Sequence, residues 1–134
     1  MADQSTIAIV NTNPDLVRRL RVALETAGFV VLEMYVEDMK LGSANVQSFL
    51  KEHDPSVIVY DLAPPFDLTW RFLDHLRTTS EFAGRHFVLV SVNERRASEV
   101  VGRDETVYEV VGEPRDIDTV VRAVKEASRA RPTR

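Results

Sequence analysis

Four short apolar runs in this sequence end in polar residues, and those endings hold the side chains best placed to do chemistry. Val57-Ile58-Val59-Tyr60 ends at Asp61, Phe87–Val90 ends at Ser91, and Thr6–Val10 ends at Asn11 and Thr12. The run Thr106–Val111 is followed by Gly112, Glu113 and Pro114. Together these supply two carboxylates, an amide and two hydroxyls. Oxygen donors of this kind suit a hard cation, but magnesium is held chiefly through carboxylates and water. Asp61 alone, with neutral oxygens beside it, makes a poor magnesium site. An Asp61–Glu113 pair is the one arrangement that would give two carboxylate donors, and without a cation the two would repel.

Each of these residues also has a plainer role. Asn11 and Asn13 are good helix caps ahead of Pro14, which suits a first helical turn. Ser91 can satisfy loop backbone. Glu113 can be a solvated acid or a partner for Arg115, Arg95 or Arg96. His53, His75 and His86 show no metal-ligand spacing, and cysteine is absent, so the sequence offers no thiolate site and no disulfide. No glycine-rich phosphate loop follows the first run, since Asn11-Thr12-Asn13-Pro14 lacks the glycines such a loop needs. No serine nucleophile sits in a glycine elbow. These absences argue against an enzyme and leave a small-molecule-binding domain or small enzyme, using the crevice at these strand ends, as the reading from another class.

The elements that must position these residues alternate regularly. Thr6–Val10, Phe29–Met34, Val57–Tyr60, Phe87–Val90 and Thr106–Val111 read as strands. Between them, Leu16, Leu20, Ala23, Leu24 and Ala27 recur at helical spacing, with Arg18, Arg19, Arg21 and Glu25 mostly opposite and Gly28 as a terminator. Val46, Phe49 and Leu50 suggest a short second helix. Asp67 or Thr69 is expected to cap a third that contains Trp70, Leu73 and Leu76. One of Trp70 and Phe72 is expected in the core and the other half-exposed. Ala97–Val101, closed by Gly102, is a weak fourth helix. Asp116–Ala130 is a strong fifth, with Ile117, Val120, Val121 and Val124 on one face. Tyr35–Ser43 reads as a loop.

Strands that are unbroken apolar runs belong to a parallel sheet covered on both faces. Five strand–helix units with right-handed crossovers give an α/β, doubly wound, flavodoxin-like sheet of order 2-1-3-4-5, whose crevice lies at the carboxyl ends of the strands. The 134 residues suit a single domain, expected over 1–127, with Ser128–Arg134 (SRARPTR) as a basic tail or linker. A net charge of −4 argues against general nucleic-acid affinity, and the arginines of the tail read as a solvated end. No apolar run approaches a membrane span and no signal pattern opens the chain, so the expected location is cytoplasmic.

At the strand ends the sequence resembles the receiver domains of bacterial two-component response regulators. Val57–Pro65 (VIVYDLAPP) is similar to the segment around the phosphoacceptor aspartate of that family, with Pro65 four residues after Asp61. Ser91 stands where the family has Thr or Ser, and Glu113-Pro114 where it has Lys-Pro. Val10–Leu16 resembles the opening in which two acids follow the first strand. The likeness covers Thr6 to about Ala127. It implies Asp61 as phosphoacceptor, Ser91 as a phosphoryl contact, a cis peptide bond before Pro114, a magnesium ion, and a histidine kinase as phosphodonor. It also implies a partner or homodimer face within Ala97–Ala127.

The departures are specific. The acidic pair is replaced by the neutral Asn11 and Thr12, and the lysine by Glu113. The family's aromatic position on the fifth strand is Val110, with Tyr108 nearby, and Phe66-Asp67-Leu68-Thr69 stands in place of a glycine-rich turn. Phosphoryl transfer depends on cations that offset developing negative charge, and this edge loses both. The sequence therefore points to a signalling module that acts through protein–protein contact without ordinary magnesium-dependent phosphorylation. A working phosphoacceptor at Asp61 is the alternative within the same class.

Overall fold

The computed structural model describes residues 6–11, 14–35, 46–62, 65–77, 85–91, 94–102, 107–112 and 117–129. In chain order the elements are β1 (Thr6–Asn11), α1 (Pro14–Thr26), β2 (Val30–Tyr35), α2 (Val46–His53) and β3 (Val57–Asp61). They continue with α3 (Phe66–Arg77), β4 (His86–Ser91), α4 (Glu94–Val101), β5 (Val107–Gly112) and α5 (Ile117–Arg129). All strand pairings are parallel, in the order β2-β1-β3-β4-β5. β5 joins β4 across a register irregularity between Phe87 and Val88.

Strand alternation sorts the core into two layers. Ile7, Ile9, Val57, Val59, Val88 and Val90 face α1 and α5, which contribute Leu16, Val17, Leu20 and Leu24, and Val120, Ala123, Val124 and Ala127. Ala8, Val10, Ile58, Tyr60, Phe87 and Leu89 face the other way, against Leu50 of α2, Leu73 of α3, and Ala97 and Val101 of α4. Both faces are covered, so the central strands are apolar at nearly every position, as the sequence reading of an α/β parallel sheet requires. The edge strand β2 is wetter, and Glu33 there holds Arg21 of α1 at 2.7 Å.

The ends of the helices show where local sequence decides. Gly28, at φ +99°, ends α1: its amide donates to the Glu25 carbonyl and that of Phe29 to the Leu24 carbonyl. This two-bond cap needs a left-handed residue, which glycine adopts without strain. Phe29 then packs on the same core layer as Leu24, so β2 begins at Val30 and not at Phe29. At α3 the expectation is corrected. Asp67 and Thr69 lie inside the helix, and its first turn is closed on Pro65, whose carbonyl accepts from both the Thr69 amide and hydroxyl at 3.0 Å. Proline suits that boundary because a helix start has no use for its missing N–H. Asp67 instead sits in the first turn, where its charge favours the helix dipole.

Other boundaries also move. α4 starts at Glu94, three residues before the expected Ala97, and Arg95 and Arg96 both reach Glu99 within it, at 3.8 and 3.4 Å. α5 runs Ile117–Arg129, one residue inside the expected Asp116–Ala130 at each end. In α1 it is Val17, not Ala27, that joins the buried stripe. Trp70 and Phe72 are both half-buried against the α2–α4 layer, so neither is the fully buried core residue expected. His86 opens β4 and is buried. The Tyr35–Ser43 loop lies, beyond Tyr35, outside the described residues.

Candidate functional site

A parallel sheet delivers all its strand ends to one edge, and the register fixes which ends are neighbours. β1 and β3 are paired up to Val10 and Tyr60, so Asn11 and Asp61 come next on adjacent strands. Asp61 is level with Val90 of β4, and the amide of Leu62 donates to the Val90 carbonyl at 2.8 Å. The ladder therefore runs one residue past Asp61 and fixes its backbone. Ser91 ends β4, level with Gly112 of β5. With neighbouring strands about 4.8 Å apart, the backbones of Asn11, Asp61 and Ser91 lie within a strand spacing or two of one another.

The sequence reading thus placed three of its candidates at one edge. Asp61 is half-buried, accessible enough for a carboxylate to meet a ligand, while Ser91 is only 2% exposed. Thr12, Glu113 and Pro114 lie outside the described residues, as does Asn13, and no geometry is assigned to them. The suggested pairing of Arg95 or Arg96 with Glu113 competes with the bonds both make to Glu99. Among the histidines, His53 and His75 are exposed on α2 and α3, away from this edge's strand ends.

Magnesium tests the donor set. Among the described residues no cluster of three or more carboxylates or histidines is placed to hold a metal. The described edge offers one carboxylate, Asp61, beside a strand that ends in an amide. That set does not fit a hard divalent cation, which draws its affinity from several oxygen anions.

Two residues that the sequence reading passed over are prominent here. Tyr60, next to Asp61, has its side chain fully buried among Val10, Leu73, Leu89 and Ala97. Its hydroxyl has no hydrogen-bond partner among the described residues. Burial, and then the charge of Asp61, push the phenol well above its ordinary range. The available signal was a phenol ending a run that both sheet faces would bury. Arg85 lies at the opposite edge, just before β4. Its guanidinium, 7% exposed, donates to Asp54 Oδ1 and the Pro55 carbonyl at 2.7 Å and to the Leu50 carbonyl at 3.3 Å. It closes the end of α2, where Asp54 turns the chain at φ +48°. A lone arginine before an apolar strand was its only sequence signal.

No protein-family profile and no curated protein sequence matches the chain. Solved structures do. A sensor protein from Polaromonas sp. JS666 superimposes with a TM-score of 0.72 at 21% identity, covering 94% of this chain and 97% of that one. A response regulator from Thermotoga maritima gives 0.72 at 15% identity, over 96% and 100%. The receiver domain of a histidine kinase from Clostridium thermocellum gives 0.70 at 14%, over 94% and 98%. Identities this low speak for the fold, and in fold the chain is similar, along nearly its whole length, to the receiver domains of two-component signalling proteins.

Proposed function

We propose that this chain is a receiver-type signalling module that works through protein–protein contact and does not use magnesium-dependent phosphorylation of Asp61. The observation that carries this reading is the strand-end set of β1 and β3: a single carboxylate, Asp61, next to a strand closed by Asn11. The replacement of the family's lysine by Glu113 adds to it, because a transferred phosphoryl group needs positive charge around it. The fold likeness supports the signalling class. In this reading the module is one unit over 1–127 followed by a basic tail, acts in the cytoplasm, is not an enzyme, and presents α4, β5 and α5 (97–127) to a protein partner or a second copy.

One observation favours a second reading, a working phosphoacceptor: Asp61 is half-exposed at the end of β3, with Ser91 ending the next strand. Under that reading a histidine kinase is the donor. Intact mass after incubation with acetyl phosphate and magnesium, beside Asp61→Asn, separates the two. The first reading expects no adduct while an ordinary receiver is modified in the same tube. A single phosphoryl adduct that disappears in Asp61→Asn establishes the second and removes the first.

A further inference from the structure

The outer face of α3 combines exposed apolar surface with an uncommitted charge. On the inner side Leu73 is fully buried, and Phe66 and Trp70 pack against the same core layer. On the outer side Leu68 is 59% exposed, Phe72 is only half-buried, and Asp67, Arg71, Asp74 and His75 are exposed. Helical spacing sorts these into two stripes. Leu68, Phe72 and His75 recur at i, i+4 and i+7 and form one stripe. Asp67, Arg71 and Asp74 have the same spacing and run directly beside it, in the order acid, base, acid.

Val22 of α1 is equally exposed, but its neighbours one turn away are Arg18, Arg19, Glu25 and Thr26, so its apolar surface goes no further. Leu68 has Phe72 one turn on, and covering the two together is favourable in proportion to the apolar area removed from water. Arg71 makes no ion pair or hydrogen bond among the described residues, so an external acid competes with no partner for it. A surface that fits this face must be apolar along one line and, beside that line, set an acid against Arg71 and a base against its neighbouring acids. The same helix turned end for end carries that order. With a two-fold axis beside Phe72, Phe72 meets its own copy, and Leu68 comes within one position of His75 of the second copy. Arg71 then comes within one position of Asp74 of the second copy. Such self-complementarity is what an isologous contact requires.

We propose that α3 is a self-association helix: a second copy of this chain docks antiparallel on its outer face, with the Leu68–Phe72–His75 stripes in contact and Arg71 of each copy against Asp74 of the other. A uniformly acidic or basic partner is disfavoured, because it meets a like charge either at the acids or at Arg71. No residue of the strand-end edge takes part, so the pairing does not rest on how Asp61 is read. It gives self-association a face of its own and leaves 97–127 to a different protein. Two twelve-residue helices make a small interface, so the dimer is weak and forms at high concentration.

The test is sedimentation velocity over about 1–500 µM, a range that brackets the weak affinity of so small an interface. The chain is expected to pass from monomer to dimer across it. Leu68→Asp, with an unfolding curve to confirm that this exposed position leaves the fold intact, is expected to weaken association at least about tenfold, since apolar burial is lost in both copies. Arg71→Glu and Asp74→Arg are each expected to weaken it about tenfold, because two symmetry-related contacts turn from attractive to repulsive. Mixed in equal amounts, these two variants should regain the original association as a heterodimer, in which both contacts again join opposite charges. A chain that stays monomeric throughout overturns the proposal. So does a dimer indifferent to Leu68→Asp, or a mixture of the two charge variants that associates no more tightly than either alone.

Discussion

The two edges of one sheet treat polar groups in opposite ways. At the edge where the strands begin, partners are internal. Arg85 is buried and bonded to Asp54, Pro55 and Leu50; the Ser56 amide donates to the Thr6 carbonyl and the His86 amide to the Ser56 carbonyl. The left-handed Gly28, Asp54 and Gly102 turn the chain from helix to strand there. At the edge where the strands end, Asp61 stays half-exposed beside the ends of β1 and β4. The first edge is committed to holding the fold, and the second leaves one carboxylate, Asp61, where an external partner could reach it, while Ser91 beside it is buried. The same parallel topology makes both, because it gathers all strand starts on one side and all strand ends on the other.

Substitutions can break this contrast, and the largest effect belongs to the closed edge. Arg85→Leu should cost about 3 kcal/mol, since it strands buried carbonyls and removes a charge that ties α2 to β4. Asp54→Asn should cost under about 1 kcal/mol, because Asp54 is 62% exposed and its ion pair is screened by solvent. Denaturant midpoints check both, and equal losses would show that the carboxylate, not the carbonyls, anchors the arginine. Gly28→Ala should cost about 1–2 kcal/mol through the left-handed backbone alone, since nothing lies within 4 Å of an added Cβ. A loss well above that range would mean that β2 is displaced as well.

The open edge should respond less. Ser91→Ala, at a buried hydroxyl, is expected to cost about 1 kcal/mol. Asp61→Asn, at a half-exposed strand-end carboxylate, should cost no more than about 1 kcal/mol. A loss of several kcal/mol on Asp61→Asn, measured by the same unfolding curves, would make Asp61 a structural residue and erase the difference between the edges.

Much of this was legible in advance. Unbroken runs such as Val57–Tyr60 and Phe87–Val90 announce strands buried on both faces, and Gly28 announces a helix end, because each follows from local chemistry. The beginnings of helices were less legible. Asp67 and Thr69 are both good caps by type, yet the helix starts ahead of them on Pro65. Which of several adjacent capping residues is used depends on where the preceding strand releases the chain. Tyr60 and Arg85 were missed for a related reason. A phenol at a strand end and an arginine before a strand each have many ordinary environments, and only the neighbours brought in from distant elements distinguish them.

The sequence by itself determined the alternation of strands and helices, the α/β class, and the residue types that follow the strands, the neutral Asn11 after the first and the acidic Glu113 after the fifth. These are properties of residue types and their order. The tertiary structure alone decided the register in which Asn11, Asp61 and Ser91 stand along the edge of strand ends, and that Tyr60 is buried without a hydrogen-bond partner among the described residues. It alone placed Arg85 on a helix end 35 residues earlier in the chain. Burial and hydrogen-bond satisfaction are relations between residues far apart in sequence, so they exist only once the chain has closed on itself.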